Sequence, residues 1–303
     1  MGYVEGIIVN NKDSIRQLGN HTWVLEGPTN VGFIENNTDV YLIDSGNDKE
    51  AGRRISKVVQ EQNWNLKAII NTHSNADHIG GNDYLQRIYS CDVYAPGIEN
   101  VFIEHPELEA AFLWGGMEVK DIRNKIFRAK PSKVTGTVHE ESEISSLFRV
   151  HRLPGHYFNM VGIETTDNVL FIADSMFGKP ILEKYGIPFI YDVRGYIRTI
   201  ESIMSRKMNY YVPSHADITT DIREIAQLNM DAVKRIEDFI VSILQEAKNY
   251  DVILKTVCDE YDLQLDYAQY ALVGSTIRSF LSCLYNEGRI QSEFVDNILY
   301  WKS

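Results

Sequence analysis

The chain has 303 residues, of which 44% are hydrophobic and 24% charged, a balance that is typical of globular proteins and argues against a disordered chain or a coiled coil. The 30 basic and 42 acidic side chains give a net charge of −12, which disfavours a nucleic-acid-binding surface. No run approaches the ~20 apolar residues of a membrane span, and residues 1–19 show no secretory signal. Cys91, Cys258 and Cys283 lie far apart, so we expect reduced thiols in a cytoplasmic protein.

The periodicity of apolar residues predicts alternating strands and helices over most of the chain. In chain order we predict strands at residues 22–26, 31–35 and 40–44, a helix at 49–62, a strand at 66–70, mixed helical segments between 98 and 130, strands at 148–153, 160–165 and 169–173, a helix at 193–207, a strand at 210–213, and helices from 222 to 247. Both halves combine a sheet with covering helices, so the predicted fold class is layered α/β.

The end of the chain follows a different pattern. Apolar side chains at helical spacing from Tyr270 to Leu284 end before Gly288, and residues 289–291 and 298–302 are two short strand candidates. Helices followed by a small hairpin are typical of a winged-helix-like module. We therefore divide the chain into a main domain at residues 1–225 and a C-terminal helical module at residues 226–303.

The segment at residues 71–81 is the richest in side chains that bind metals. His73, Asp77 and His78 fall within six residues, directly after an apolar strand. Imidazole and carboxylate groups suit zinc, iron or manganese. Gly80 and Gly81 then allow a tight turn into the next helix. The segment predicts part of a metal site, and a polar loop with incidental histidines is the alternative.

Three later strands end in the same way. His156 follows the strand at 148–153, Asp174 follows the strand at 169–173, and His215 follows the strand at 210–213. A single histidine at a strand end is more often a hydrogen-bonded structural residue. Four strand ends that deliver His or Asp in succession indicate one shared metal site.

In this order, the strand ends resemble the motifs of the metallo-β-lactamase-fold hydrolases, from Trp23 to His215. The first motif is an apolar strand that ends in Asp, here Asp44. The others are His-x-His-x-Asp-His, Pro-Gly-His, a bridging Asp and a late His. The resemblance implies an αββα sandwich with a metal site at one edge, formed by His73, Asp77, His78, His156, Asp174 and His215.

One position departs from the family pattern, because Asn75 stands where the second histidine of the second motif is expected. The resemblance implies that one metal, for which Asn75 offers a weak amide oxygen, is held by His73, His156 and Asp174. It implies that a second metal has a complete ligand set, consisting of Asp77, His78, Asp174 and His215. We therefore predict one or two divalent ions, zinc before iron or manganese, with the second position the stronger.

The chemistry of a bound metal requires no serine or cysteine nucleophile. Zn²⁺ lowers the pKa of its water from 15.7 to about 7 and polarises a carbonyl or phosphoryl oxygen. Asp77 and Asp174 are the predicted catalytic residues. As the resemblance implies, Asp44 lies near the site as a hydrogen-bonding residue that touches no metal.

Several branches of the family are disfavoured by the sequence. The di-iron redox branch would have a carboxylate at position 75, where this chain has Asn. Secreted β-lactamases need an export signal, which we do not predict, and RNA-processing enzymes have large extra domains or basic surfaces, which a net charge of −12 disfavours. The remaining prediction is an enzyme that hydrolyses a small ester, thioester or related metabolite. A phosphodiester or nucleic-acid hydrolase stays open, as does a DNA-binding or non-catalytic regulator on the same scaffold.

The C-terminal module offers few cations to DNA. Residues 249–303 carry four positive and eight negative side chains, and Arg278 is essentially the one cation that the amphipathic helix would bring to phosphates. The favoured role of the C-terminal module is therefore packing, dimerisation or a lid over the site. A homodimer stays open, and the expected partner of the protein is a small-molecule substrate.

Four histidines and a set of aromatic side chains lie outside the predicted ligand set. We expect His21, His105, His139 and His151 to be surface, capping or structural residues. A lid near the site is predicted from the aromatic side chains that lie between the motifs, namely Phe112, Trp114, Tyr157, Phe158, Phe177, Tyr185 and Phe189.

Overall fold

The computed structural model describes residues 15–140, 142 and 144–303. Within this part of the chain, two sheets face each other, helices cover their outer faces, and a small third sheet lies near the end. Residues 1–14, which carry most of the segment where we predict no secretory signal, lie outside the described residues. None of the described helices has the length and apolar character that crossing a membrane requires. The three cysteines are unpaired.

The first sheet changes direction at its fourth strand. Among the described residues its strands, in spatial order, are β1 (Arg16–Gln17), β2 (Thr22–Leu25), β3 (Val31–Asn36), β4 (Asp39–Ile43), β5 (Asn65–Ile70), β6 (Asp92–Pro96) and β7 (Gly136–Val138). Neighbours from β1 to β4 are antiparallel, and neighbours from β4 to β7 are parallel. The carboxyl ends of β4 and β5 therefore meet at one edge.

Helices connect the parallel strands of the first sheet. They are α1 (Lys49–Glu61), α2 (Ala76–Ile79), α3 (Asn82–Tyr89), α4 (Glu99–Glu104), α5 (Glu107–Trp114) and a 3-10 turn (Lys120–Ile122). The first helix begins where the Asp48 side chain accepts hydrogen bonds from the Glu50 and Ala51 amides. We did not predict β6 and β7, which are only five and three residues long.

The second sheet has four strands, β8 (Phe148–Arg152), β9 (Val161–Thr165), β10 (Val169–Ala173) and β11 (Tyr210–Pro213), in the spatial order β11, β10, β9, β8. The helices α6 (Lys179–Tyr185) and α7 (Val193–Met204) lie between β10 and β11 in the sequence. β10 and β11 are parallel, whereas β8, β9 and β10 are antiparallel neighbours. The ends of β10 and β11 therefore also meet at one edge.

The two sheets pack through side chains that alternate along each strand. In β10, Val169 and Phe171 belong to the core between the sheets, whereas Leu170 and Ile172 belong to the core under the helices. Gly32 on β3 lets the sheets approach, since a Cβ there would lie 2.5 Å from the Phe171 ring. With α1 and α3 on one outer face and α7 on the other, the predicted αββα sandwich is confirmed.

The C-terminal region continues the helical layer. It contains α8 (Arg223–Ile243), β12 (Lys248–Asn249), α9 (Tyr250–Glu260), α10 (Tyr267–Asn286), β13 (Gln291–Val295) and β14 (Ile298–Lys302), and β12, β14 and β13 form the third sheet. Ile277 and Phe280 of α10 share a core with Tyr196 and Ile200 of α7. The division between residues 225 and 226 stays a prediction.

The first strand of the terminal hairpin begins later than the predicted segment at 289–291. Gly288 has φ +71 and ends α10, and the Arg289 amide still bonds to the Leu284 carbonyl. Ile290 is buried in the helical core, so pairing starts only at the next residue.

Candidate metal centre

The structure brings together the six side chains that the sequence singled out. Asp174 lies at their centre: its Oδ1 is 3.1 Å from His78 Nε2, and its Oδ2 is 3.2 Å from His215 Nε2 and 3.6 Å from His156 Nε2. The rings of His73 and His78 have centroids 4.0 Å apart. Asp77 Oδ2 lies 3.1 Å from His215 Nε2. Strands of both sheets therefore end at one cluster.

The loop after β5 is shaped by its contact with the end of β4. Asp44, with φ +60, accepts hydrogen bonds from the Thr72 amide at 2.8 Å and from Thr72 Oγ1 at 2.7 Å. Gly80 packs directly on the segment after β4, since a Cβ there would lie 2.2 Å from the Asn47 carbonyl carbon. The loop is thus fixed at both ends, which positions His73 and His78.

Asp44 also fixes the orientation of His78. Its Oδ2 lies 2.8 Å from His78 Nδ1, and Asp44 is 2% exposed. Because a carboxylate accepts, Nδ1 carries a hydrogen and Nε2 is the ring nitrogen that faces the cluster.

The other three histidines are oriented in the same way. His156 Nδ1 lies 3.0 Å from the Phe189 carbonyl, and His215 Nδ1 lies 2.8 Å from the Pro28 carbonyl. His73 Nδ1 lies 3.1 Å from Thr72 Oγ1, whose own hydrogen is donated to Asp44. Each Nδ1 therefore donates, and all four imidazoles present Nε2 to the cluster.

The Pro-Gly-His loop depends on its glycine. Gly155 has φ +133, and a Cβ there would lie 2.2 Å from the Tyr196 amide nitrogen. Its carbonyl accepts hydrogen bonds from the Tyr191 and Asp192 amides, both at 2.9 Å. The loop is therefore held against the start of α7, with His156 directed to the cluster.

The polar atoms at the heart of the cluster fit a cation. His73 Nε2, His78 Nε2 and Asp174 Oδ1 are buried without a hydrogen bond, and ligand atoms of these residues all lie within 4.8 Å of one another. A buried polar group without a partner costs about 1–3 kcal/mol, and a divalent ion satisfies such lone pairs together. Asp77, His78 and His215 form a second group of the same kind, and His156 belongs to neither group.

The charged groups of the cluster shift the pKa values of its histidines and of Asp174. Burial raises the pKa of Asp174, but the adjacent His215 and His78 outweigh it and hold that pKa well below its usual range. Burial lowers the pKa of His78, yet Asp174, Asp77 and Asp44 raise it well above its usual range. Burial and the neighbouring His78 lower the pKa of His73, which keeps it in the neutral form that binds metals.

Asn75 lies beside His156. Its Oδ1 is 2.9 Å from His156 Nε2, and its Nδ2 donates to Glu109 Oε1 at 2.6 Å. The position predicted to offer a weak amide oxygen thus does face the cluster.

Two buried glutamates near the cluster were missed from the sequence. Glu99 accepts hydrogen bonds from the Ser74 amide at 3.2 Å and the Asn159 amide at 2.8 Å, and burial raises its pKa to about 7. Burial raises the pKa of Glu109 well above its usual range. The weak sequence signal for Glu109 is that Leu113, also buried, lies four residues later on the same helix face.

Of the histidines given structural interpretations, His151 is the clearest case. Its Nε2 lies 2.7 Å from Glu164 Oε2 on the adjacent strand β9, with Arg206 beside the pair. His21 Nδ1 lies 3.1 Å from the Glu35 carbonyl, and His105 pairs with Glu107.

The aromatic side chains predicted to form a lid lie in several separate places. Phe177 and Phe189 pack on His156 with ring centroids 5.8 and 5.4 Å away, and Phe177 stacks on His215 at 6.1 Å. Phe158 forms an aromatic cluster with Phe112 and Tyr191. Trp114 instead packs against α10, and Tyr185 contacts Lys184.

Sequence comparison identifies relatives for this arrangement. The sequence model of the metallo-beta-lactamase superfamily matches residues 24–215. The chain is 23% identical over 189 residues to "Probable metallo-hydrolase YybB" of Bacillus subtilis (strain 168), covering 57% of this chain and 80% of that protein. It is 21% identical over 228 residues to "Atrochrysone carboxyl ACP thioesterase" of Aspergillus chevalieri, covering 72% of this chain and 63% of that protein's length.

Structural comparison extends the likeness past residue 215. The crystal structure of a metallo-beta-lactamase family protein from Thermus thermophilus superposes with a TM-score of 0.75 at 16% identity. The superposition covers 95% of this chain and 100% of that one, so the shared fold includes C-terminal helices.

Proposed function

The chain belongs to the metallo-β-lactamase superfamily and has its hydrolase fold, and from this premise we propose that it hydrolyses a small ester or thioester metabolite in a divalent-metal-dependent reaction. The observation that carries the proposal is the common orientation of His73, His78, His156 and His215, whose Nε2 atoms converge on Asp174. Four histidines locked in one tautomer around a buried carboxylate suit metal binding.

We assign the convergent side chains to two ion positions. The first takes His73, His156 and Asp174, and the second takes Asp77, His78, His215 and Asp174. With both imidazole and carboxylate donors, the second set suits zinc, and iron or manganese are the alternatives. A divalent ion bound there would supply a water that ionises near neutral pH, and the same ion would polarise the scissile carbonyl.

Asp77 and Asp174 have different tasks in this proposal. Asp174 is 4% exposed and touches three histidines, so it fixes the geometry of the centre. The side chain of Asp77 is 38% exposed, and its Oδ2 accepts a hydrogen bond from Thr29 Oγ1 at 3.3 Å. As the more accessible carboxylate, Asp77 holds the second ion and orients the attacking water beside it.

Two observations support an ester or thioester substrate. One relative is named as an acyl-carrier-protein thioesterase, although the chain spans 63% of its length. The aromatic rings of Phe177 and Phe189 beside His156 provide an apolar border for an acyl group. Hydrolysis adds the water oxygen to the carbonyl carbon and breaks the C–O or C–S bond, and the alcohol or thiol leaves with a proton. A cytoplasmic location and a homodimer stay predictions.

A hydrolysis screen tests this proposal. The protein, incubated with Zn²⁺, Mn²⁺ or Fe²⁺, is offered p-nitrophenyl esters, short acyl thioesters and a p-nitrophenyl phosphodiester. We expect turnover of an ester or thioester that chelation abolishes, and an about 10²–10⁴-fold loss in Asp77→Asn. His151→Ala, which removes a histidine remote from the centre, is the matched control and keeps activity. Cleavage of the phosphodiester alone, or full activity in Asp77→Asn, would contradict the proposal.

A further inference from the structure

Asn75 is held by Glu109, which comes from a separate helix. Asn75 Nδ2 donates to Glu109 Oε1 at 2.6 Å, and Glu109 is 4% exposed. This hydrogen bond turns the amide nitrogen toward α5 and the amide oxygen away from it. The amide oxygen then lies 2.9 Å from His156 Nε2.

His156 is fixed from its other side. Its Nδ1 lies 3.0 Å from the Phe189 carbonyl, which can only accept, so the hydrogen of a neutral imidazole resides on Nδ1. Nε2 then carries a lone pair that faces the lone pairs of Asn75 Oδ1. Two such atoms repel at this distance unless a proton or a cation lies between them, and a divalent ion binds both.

Other donors lie around the same point. His156 Nε2 is 3.6 Å from Asp174 Oδ2, and His73, whose Nε2 is buried without a hydrogen bond, has its ring centroid 5.1 Å from that of His156. Ligands bound to one ion at ~2.1 Å lie about 3–3.5 Å apart. The separations of His156 Nε2 from Asn75 and Asp174 are close to that range.

The helix that carries Glu109 is braced by the C-terminal region. Ala110 and Leu113 of α5 pack with Ala271 of α10, and the Trp114 and Tyr270 rings are 5.9 Å apart. Glu109 therefore reaches Asn75 from a helix that is held in place by its contacts with α10. A carboxyl group buried in this way is costly unless it is hydrogen-bonded.

We propose that Glu109 is a positioning residue that directs the Asn75 amide oxygen onto the first ion position, where this oxygen replaces the missing imidazole. The inference rests on the proposed function, because it requires a centre that holds metal. The first position then has two nitrogen and two oxygen donors, from His73, His156, Asn75 and Asp174. Replacing a nitrogen by an oxygen donor makes the position more tolerant of Mn²⁺ than a set with three imidazoles.

Four variants test the role of Glu109. Glu109→Leu removes the acceptor but keeps an apolar fit, Glu109→Gln keeps an accepting oxygen, and Glu107→Leu changes an exposed side chain on the same helix. The double variant Glu109→Leu with Asn75→His supplies an imidazole that needs no partner on α5. Each metal-stripped protein is titrated with Mn²⁺ and with Zn²⁺ by calorimetry, and near-UV circular dichroism checks the fold.

We expect wild type to bind a tight and a weaker ion. Glu109→Leu should weaken only the weaker ion, at the first position, by about 10–100-fold, whereas Glu109→Gln and Glu107→Leu should bind both ions as wild type does. The double variant should recover the weaker ion for Zn²⁺. Unchanged binding of the weaker ion in a folded Glu109→Leu, or no recovery in the double variant, would overturn the inference alone. Absence of the tight ion from wild type would instead overturn the proposed function.

Discussion

Asp44 Oδ2 lies 2.8 Å from His78 Nδ1, while His78 Nε2 lies 3.1 Å from Asp174 Oδ1. One imidazole therefore connects the end of β4 to the end of β10, that is, one sheet to the other. The two Thr72 donors to Asp44 hold this carboxylate in place. The metal centre is thus joined to both sheets through residues that follow their strands.

The role of Asp44 predicts a loss of metal affinity without loss of a ligand. Asp44→Ala leaves the His78 ring free to rotate and to change tautomer, so we expect metal affinity to fall about 10–100-fold. Asp39→Ala, at the other end of the same strand, is the control. Metal titration of both proteins checks the prediction, and equal affinities would show that Asp44 does not orient a ligand.

The departure at Asn75 predicts two ions of unequal affinity. Asn75→His restores an imidazole and should raise occupancy of the first position after dialysis. Asp77→Ala removes a carboxylate from the complete set and should strip the tightly held ion. Elemental analysis of the three proteins after identical dialysis measures both effects. Two equally tight ions in wild type, or an unchanged count in Asn75→His, would refute the asymmetry.

The position of His156 depends on a residue without a side chain at position 155. A side chain there meets the Tyr196 amide, and its φ of +133 is unfavourable for other residues. We expect Gly155→Ala to reduce the free energy of unfolding by about 2–4 kcal/mol and to weaken the first ion. Gly116→Ala is the control, since a Cβ at Gly116 meets nothing within 4 Å. Urea unfolding compares the two, and equal midpoints would contradict the prediction.

Glu99 predicts a pH dependence of stability. Burial raises its pKa from 4.5 to about 7, so the folded protein retains the proton where the unfolded chain has lost it. The contribution to stability is full below pH 4.5 and is lost as the pH rises through about 7. Between pH 5 and pH 8, the contribution of Glu99 to the free energy of unfolding therefore falls by about 2–3 kcal/mol.

Glu99→Gln isolates that contribution, because a glutamine does not titrate. The difference in unfolding free energy between wild type and Glu99→Gln should shift by that amount in favour of the variant as the pH rises. Glu104→Gln on the same helix should show no such shift. A pH-independent difference for Glu99→Gln would mean that its pKa is not raised.

The strand ends that carry the centre were predictable, because apolar runs bounded by polar residues and turns fix where a strand stops. β10 and β11 agree with their predicted bounds, and the side chains that follow them, Asp174 and His215, lie where the pattern puts them. Their convergence follows from the parallel pairing of these two strands.

The supporting glutamates were not predictable in the same way. Glu99 and Glu109 lie in a segment with several acidic side chains, and only the tertiary contacts with Ser74, Asn159 and Asn75 distinguish them from the exposed Glu107. Long-range partners, which a local pattern does not contain, decide the case of the glutamates. A different limit applies to β13, which pairs with its neighbour β14 but has Phe294 75% exposed, so that burial does not mark the strand.

Elemental analysis of protein purified without chelator or affinity tag tests the central claim most directly. Wild type and His151→Ala should each carry at least one divalent transition metal per chain, and His78→Ala should lose the tightly held ion, because His78 belongs to both groups of ligand atoms. Metal-free wild type that also fails to take up Zn²⁺, Mn²⁺ or Fe²⁺ would contradict the account, as would full metal content in His78→Ala.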